Sequence, residues 1–107
     1  TATIAIVNQM VKVRKQKAIG ETLKLLYNYR CQICGENISA RYGVNIVESH
    51  HLDPFVKSLN NNAENRIIIC PNHHRIIHKA KPVFDRRKLV FVYHNGVKDR
   101  IILNQHL

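Results

Sequence analysis

The spacing of apolar residues changes several times along the chain, and each change predicts an element. Thr3-Ile4-Ala5-Ile6-Val7 fits a strand, while Ile4, Val7 and Val11 fit one helical face equally well. Gly20 breaks the pattern. From Glu21 to Tyr29 the apolar residues Leu23, Leu26 and Tyr27 recur at helical spacing, which predicts a short helix against a core. Val44 to His51 reads as a strand that ends in polar chemistry, with Pro54 stopping it soon after. A polar loop follows over residues 57–65, then a second, β-branched strand from Arg66 to Cys70. Pro71 suits the first turn of a helix that continues to about Lys79, before Pro82 forbids more. Finally, Leu89–Tyr93 and Val97–Leu103 flank His94-Asn95-Gly96, and Asn-Gly is the strongest short hairpin signal. This hairpin is expected to pack as accessory sheet without chemistry of its own.

Composition narrows the partner. Of 107 residues, 17 are Lys or Arg and seven are Asp or Glu, a formal net charge of +10. Nucleic acid is the partner such charge suits best, with an anionic membrane surface second. The length fits one compact domain with a modest core that a metal staple would help. No apolar run approaches membrane-spanning length and no leader peptide is visible, so no membrane partner is expected. The first residue is Thr1 rather than Met, as in a domain cut from something longer. Three cysteines argue against a closed disulfide framework and favour metal in a reducing, intracellular compartment. Lys12, Arg14, Lys15 and Lys17 fall together with no acid nearby. A phosphate-contacting segment and a plain solvated helix face fit them equally.

Two metal-ligand sets can be drawn without sharing a residue. Cys31-Gln32-Ile33-Cys34-Gly35 offers two thiols at zinc-knuckle spacing, and Gly35 permits the tight turn. Such a pair can also be redox-active, but no βαβ pattern surrounds it and further ligands follow. Cys70 and His73 repeat the spacing, which gives a Cys3His set suited to tetrahedral structural Zn²⁺. The second set is His50, His74 and His78, with His51 beside it; His74 and His78 lie one turn apart on a helix. Three imidazoles with an open position suit a catalytic divalent ion. Strand alternation sends His50 and His51 to opposite faces, so the strand must end or distort near His51 for both to serve one site. Arg75 and Lys79 sit beside the helix histidines and could hold flanking phosphates, or be ordinary solvated charges.

The order Cys-x-x-Cys, Glu-x-His-His, Asn, Cys-x-x-His-His-x-x-x-His over residues 31–78 resembles the HNH endonucleases, the ββα-metal fold. The resemblance implies an α+β chain in three parts. A basic helical segment would span residues 1–30, the ββα-metal nuclease core with its structural zinc residues 31–80, and a β-hairpin extension residues 81–107. It makes His51 the general base, gives His50, His74 and His78 the catalytic ion, and has Asn65 tie the loop to the strand. Glu48 falls where a carboxylate would orient His50. His73 stands where many members have a second Cys, and His50 where many have Asp. The all-His site therefore extends the candidate ions from Mg²⁺ to Mn²⁺, Ni²⁺ or Zn²⁺. The implied reaction is hydrolysis of double-stranded DNA to 5′ phosphate and 3′ hydroxyl products. The implied role is restriction of foreign DNA in a bacterial cytoplasm. Nothing in the chain reads out a target sequence; that would fall to another domain, to a homodimer or to residues 1–30. Two other readings use the same residues: a non-catalytic zinc module that binds nucleic acid, and a metal-stapled module that binds acidic protein.

Overall fold

The computed structural model describes residues 17–53 and 62–107. The expected element over residues 3–11, the charges of Lys12, Arg14 and Lys15, and most of the polar loop lie outside them. Within them the chain forms helix α1 (residues 17–26), strand β1 (Glu48–His51), strand β2 (Arg66–Ile69) and helix α2 (Pro71–Ala80). Strands β3 (Val83–Asp85), β4 (Val90–Val92) and β5 (Lys98–Arg100) follow. β1 and β2 make one antiparallel pair, and β3-β4-β5 a separate antiparallel sheet.

β2 is the centre of the molecule. Its residues Ile67, Ile68 and Ile69 have no solvent exposure, and strand alternation divides them between two cores. Ile67 and Ile69 pack with Cys31, Ile33, Ile77 of α2, and Phe91, Tyr93 and Ile101 of the C-terminal region. Ile68 faces the other way, onto Leu23 and Tyr27 of the α1 segment and Val47. Burying three isoleucines contributes about 1.5–3 kcal/mol each, so a four-residue strand can organise both faces.

The β1–β2 pair is shorter than the apolar run from Val44 predicts. Glu48 pairs with Ile69, and the next residue of β2's chain, Cys70, already caps α2. Residues 44–46 therefore have no ladder partner, and Val44 and Ile46 remain exposed. At the other end, β1 stops at His51, as its polar chemistry requires.

Gly20 does not break the first helix; α1 runs through it. The glycine is buried against β1 and β2, where an added Cβ would lie 3.1 Å from Arg66 Nη2 and 3.7 Å from Ser49 Cβ. It marks a close approach rather than a stop. The helix ends at residue 26, where Asn28 and Tyr29 take left-handed backbone (φ 52° and 57°) and the Tyr29 N–H bonds back to the Lys24 carbonyl. This turn sends Tyr27 inward and leaves Leu26, an expected core residue, 41 % exposed. The buried Tyr27 hydroxyl donates to His106 Nδ1 and accepts from the Gln105 N–H, while His106 Nε2–H donates to the Arg66 carbonyl at 2.7 Å. The C-terminal tail is thus tied to the back of β2.

The C-terminal hairpin forms, with its turn closed by Tyr93 N–H on the Val97 carbonyl and Gly96 at φ 92°. It is extended by β3, which three residues after Pro82 gave no period to recognise. It is also shorter than expected on its second arm. Ile102 and Leu103 leave the sheet and donate their N–H groups to the Gln32 carbonyl.

Candidate active site

The knuckle Cys31–Gly35 is shaped by backbone. The Gly35 N–H bonds the Cys31 carbonyl at 2.7 Å, and Gly35 sits at φ 73°, which a side chain would strain. Gln32, inside the knuckle and fully buried, accepts from the Ile68 N–H at 2.7 Å and donates to the Leu103 carbonyl at 2.9 Å. It locks the knuckle to β2 and to the tail. A polar residue between two cysteines gives no sign of this in the sequence. Opposite the knuckle, Cys70 caps α2, its sulfur accepting from the His73 N–H, and Pro71 occupies the first turn.

These two elements bring Cys31, Cys34, Cys70 and His73 together, with all ligand atoms within 4.8 Å of one another. His73 Nδ1 lies 3.3 Å from Cys70 Sγ and 3.8 Å from Cys31 Sγ. Tetrahedral zinc, with bonds of about 2.3 Å to sulfur and about 2.0 Å to nitrogen, needs such edges at about 3.5 Å. The donor set fits that ion. Burial, followed by the neighbouring sulfurs of Cys31 and Cys70, pushes the Cys34 thiol up to about 12. The Cys34 thiol, so placed, resists becoming a thiolate unless a cation joins it.

The helix puts consecutive residues about 100° apart, so His74 turns away from His73 and toward β1. His50, His74 and His78 gather there, again within 4.8 Å by ligand atoms. The Nε2 atoms of His74 and His78 are 3.0 Å apart, and the His50 ring centre lies 5.2 Å from each of theirs. Burial first, then the charges of His74, His78 and His51, push His50 down to about 4. It is a neutral imidazole at pH 7, the form that binds a metal ion.

Glu48 is placed differently from its expected role. Its carboxylate lies 3.4 Å from His74 Nδ1, not on His50. Both strand residues face α2, but the first turn of the helix sets the His74 ring against both of them. The carboxylate lies beside Nδ1 of His74, while Nε2 faces His78.

Asn65 is fully buried at the start of β2 and grips the residues just past His51. Its side chain accepts from the Asp53 N–H and donates to the Asp53 carbonyl, both at 2.9 Å, and its own carbonyl accepts from the Leu52 N–H at 2.8 Å. A cleft of about 550 Å³ opens beside this lock, with His50, His51 and His78 in its wall. Lys81 and Arg86 also line it, whereas Arg75 and Lys79 are exposed on α2 and do not. Lys17 is exposed on α1, away from the cleft wall. Lys81 and Arg86 escaped the sequence reading because neither neighbours a histidine in the chain.

This fold has a solved counterpart. The chain is similar to a structure described as a "Modification dependent TagI restriction endonuclease", with a TM-score of 0.64 and 21 % identity. The match covers 83 % of this chain and 31 % of that one, so the chain spans under a third of that protein's length. At this identity the likeness is one of fold. No protein-family profile and no curated protein matches the chain. The described residues form two helices and two small sheets, and no described helix is long and apolar enough to cross a membrane.

Proposed function

We propose that the chain is an HNH-type, ββα-metal endonuclease domain that hydrolyses DNA, as in restriction of foreign DNA. The observation that carries this reading is the cleft wall. Two members of a three-imidazole set, His50 and His78, share it with a fourth histidine, His51, apart from the thiol set that a purely structural zinc would use. The fold likeness to a restriction endonuclease and the net charge of +10 agree with it. In this reading residues 31–80 are the nuclease core, residues 1–30 a basic lead-in and residues 81–107 an extension. Its setting is a bacterial cytoplasm.

Zn²⁺ on Cys31, Cys34, Cys70 and His73 would hold the knuckle to the start of α2. A divalent ion on His50, His74 and His78 would supply Lewis-acid stabilisation of charge developing on the phosphate and on the departing 3′ oxygen. The chain's own residues do the rest. His51 takes the proton from the attacking water, which imidazole does well near neutral pH. Asn65 fixes Leu52 and Asp53 and so holds His51 at the strand end. Glu48 holds the His74 ring in one tautomer.

The test is cleavage of supercoiled plasmid with Mg²⁺, Mn²⁺, Ni²⁺ or Zn²⁺ added in turn, wild type beside His51→Ala. Plasmid with and without modified bases is used, because the fold neighbour is described as modification dependent. Nicking or linearisation that needs the ion and is lost in His51→Ala is the expected result. Tight, salt-sensitive binding without cleavage under any ion would replace this reading with a zinc-stapled nucleic-acid-binding module.

A further inference from the structure

The three-stranded sheet carries no histidine of either metal set, yet a charged residue of one of its turns reaches the cleft. Arg86 lies in the turn between β3 and β4, 21 residues beyond Asn65. Its Nη2 donates to Asn65 Oδ1 at 3.0 Å and to Asp53 Oδ2 at 3.1 Å, and its Nη1 donates to the Glu64 carbonyl at 3.0 Å. One guanidinium thus spans both segments that meet at the strand end: Asp53, which follows His51, and Glu64 and Asn65, which lead into β2.

We propose that Arg86 is a positioning residue for the hydrolysis, clamping the Asn65–Asp53 lock and thereby His51. The proposal rests on the nuclease reading. Asn65 Oδ1 accepts from both the Asp53 N–H and Arg86, so the guanidinium fixes the orientation of the carboxamide that holds the loop. Planar, forked donors suit this task; an ammonium at the same place could not span three acceptors at fixed geometry. Arg86 and Asp53 are both substantially exposed, 46 % and 62 % by side chain, so their ion pair adds little to global stability. What the contact supplies is geometry, and a base displaced by a fraction of an ångström loses rate without unfolding anything.

The experiment compares wild type, Arg86→Gln, Arg86→Lys and Arg87→Gln in the zinc-loaded full chain. Arg87 is exposed in the same turn and controls for the lost charge. Steady-state plasmid nicking is measured at saturating divalent ion, and amide hydrogen exchange is followed at Leu52 and Asp53. Arg86→Gln should lower kcat about 10- to 100-fold, the range typical of residues that orient a reacting group, with KM within about twofold. The melting temperature should hold, and the Leu52 and Asp53 amides should exchange faster. Arg86→Lys should recover part of the rate, and it carries the test should Arg86→Gln fold poorly. Arg87→Gln should match wild type. A raised KM with kcat kept would show a phosphate-binding arginine instead and overturn the proposal. So would equal losses in Arg87→Gln, or unchanged rate and exchange in Arg86→Gln. If wild type cuts no DNA under any ion, the nuclease reading falls, while exchange at the two amides still decides whether the clamp exists.

Discussion

The two ligand sets share a helix and almost nothing else. Cys70 and His73 at the start of α2 face the knuckle, where Cys31 is fully buried and belongs to the main core with Ile67, Ile69 and Ile77. His74 and His78, on another side of the same helix, face His50 of β1, and His78 lines the cleft. One set is built into the main core; the other borders an open cleft through His50 and His78. A single ten-residue helix serves both because adjacent residues His73 and His74 diverge by about 100°. The lesson is that proximity in sequence does not assign a ligand. The side of the helix does.

If that division is right, the largest effect belongs to the thiols. Structural zinc contributes about 10–16 kcal/mol of apparent binding free energy in small folded units, and domains have a net stability of about 5–15 kcal/mol. Cys31→Ala or Cys70→Ala should therefore leave no cooperative thermal transition and no stoichiometric zinc, as calorimetry and metal analysis would read. A cysteine variant that keeps both would erase the distinction between the sets. Chelation should separate them in the same order. Mild chelator should remove metal-dependent cleavage while circular dichroism still shows the native melt, and only stripping the thiol-bound ion should unfold the chain. Simultaneous loss of both signals would mean that the imidazole set is also a folding element.

Next comes His51. Loss of a general base costs about 10²- to 10⁴-fold in rate, and its side chain belongs to neither ligand set. His51→Ala should lose that much kcat, yet bind the divalent ion with wild-type affinity by calorimetric titration and melt within about 2 °C of wild type, a shift of well under 1 kcal/mol. Weakened ion binding in this variant would move His51 into the metal set and exchange its role with that of His50.

How much of this was legible depends on the residue. Both ligand sets could be drawn from spacing, because Cys-x-x-Cys and the His-x-x-x-His turn each carry their geometry locally. The β1–β2–α2 order was legible for the same reason, Arg66–Cys70 and Pro71 being strong local signals. What failed to show was long-range. Gly20 reads as a breaker until Arg66 and Ser49 are seen pressed against it. Gln32 reads as filler until its amide is found bridging Ile68 and Leu103, 36 and 71 residues away. The family resemblance sets Glu48 behind His50. The helix packed across β1 brings His74 to the carboxylate instead. Arg86 was invisible because its partners are folded onto it from another part of the chain.

Glu48 gives the finest test of the comparison, because it touches one set through one ring. Its carboxylate is 48 % exposed and 3.4 Å from His74 Nδ1, so the contact is too open to matter for stability. Its effect should pass through the imidazole: a carboxylate on Nδ1 holds the N–H there and makes Nε2 a better ligand. Glu48→Gln keeps the shape and can still accept from Nδ1, but removes the negative charge. Affinity for the divalent ion should fall by about 10-fold, the low end for a group behind a ligand, with zinc content and melting temperature as in wild type. Saturating ion should then restore most of the cleavage rate, since the base and its lock are untouched. A rate that stays low at saturation would put Glu48 in the chemistry itself. A loss of zinc would show that the two faces of α2 are not independent after all.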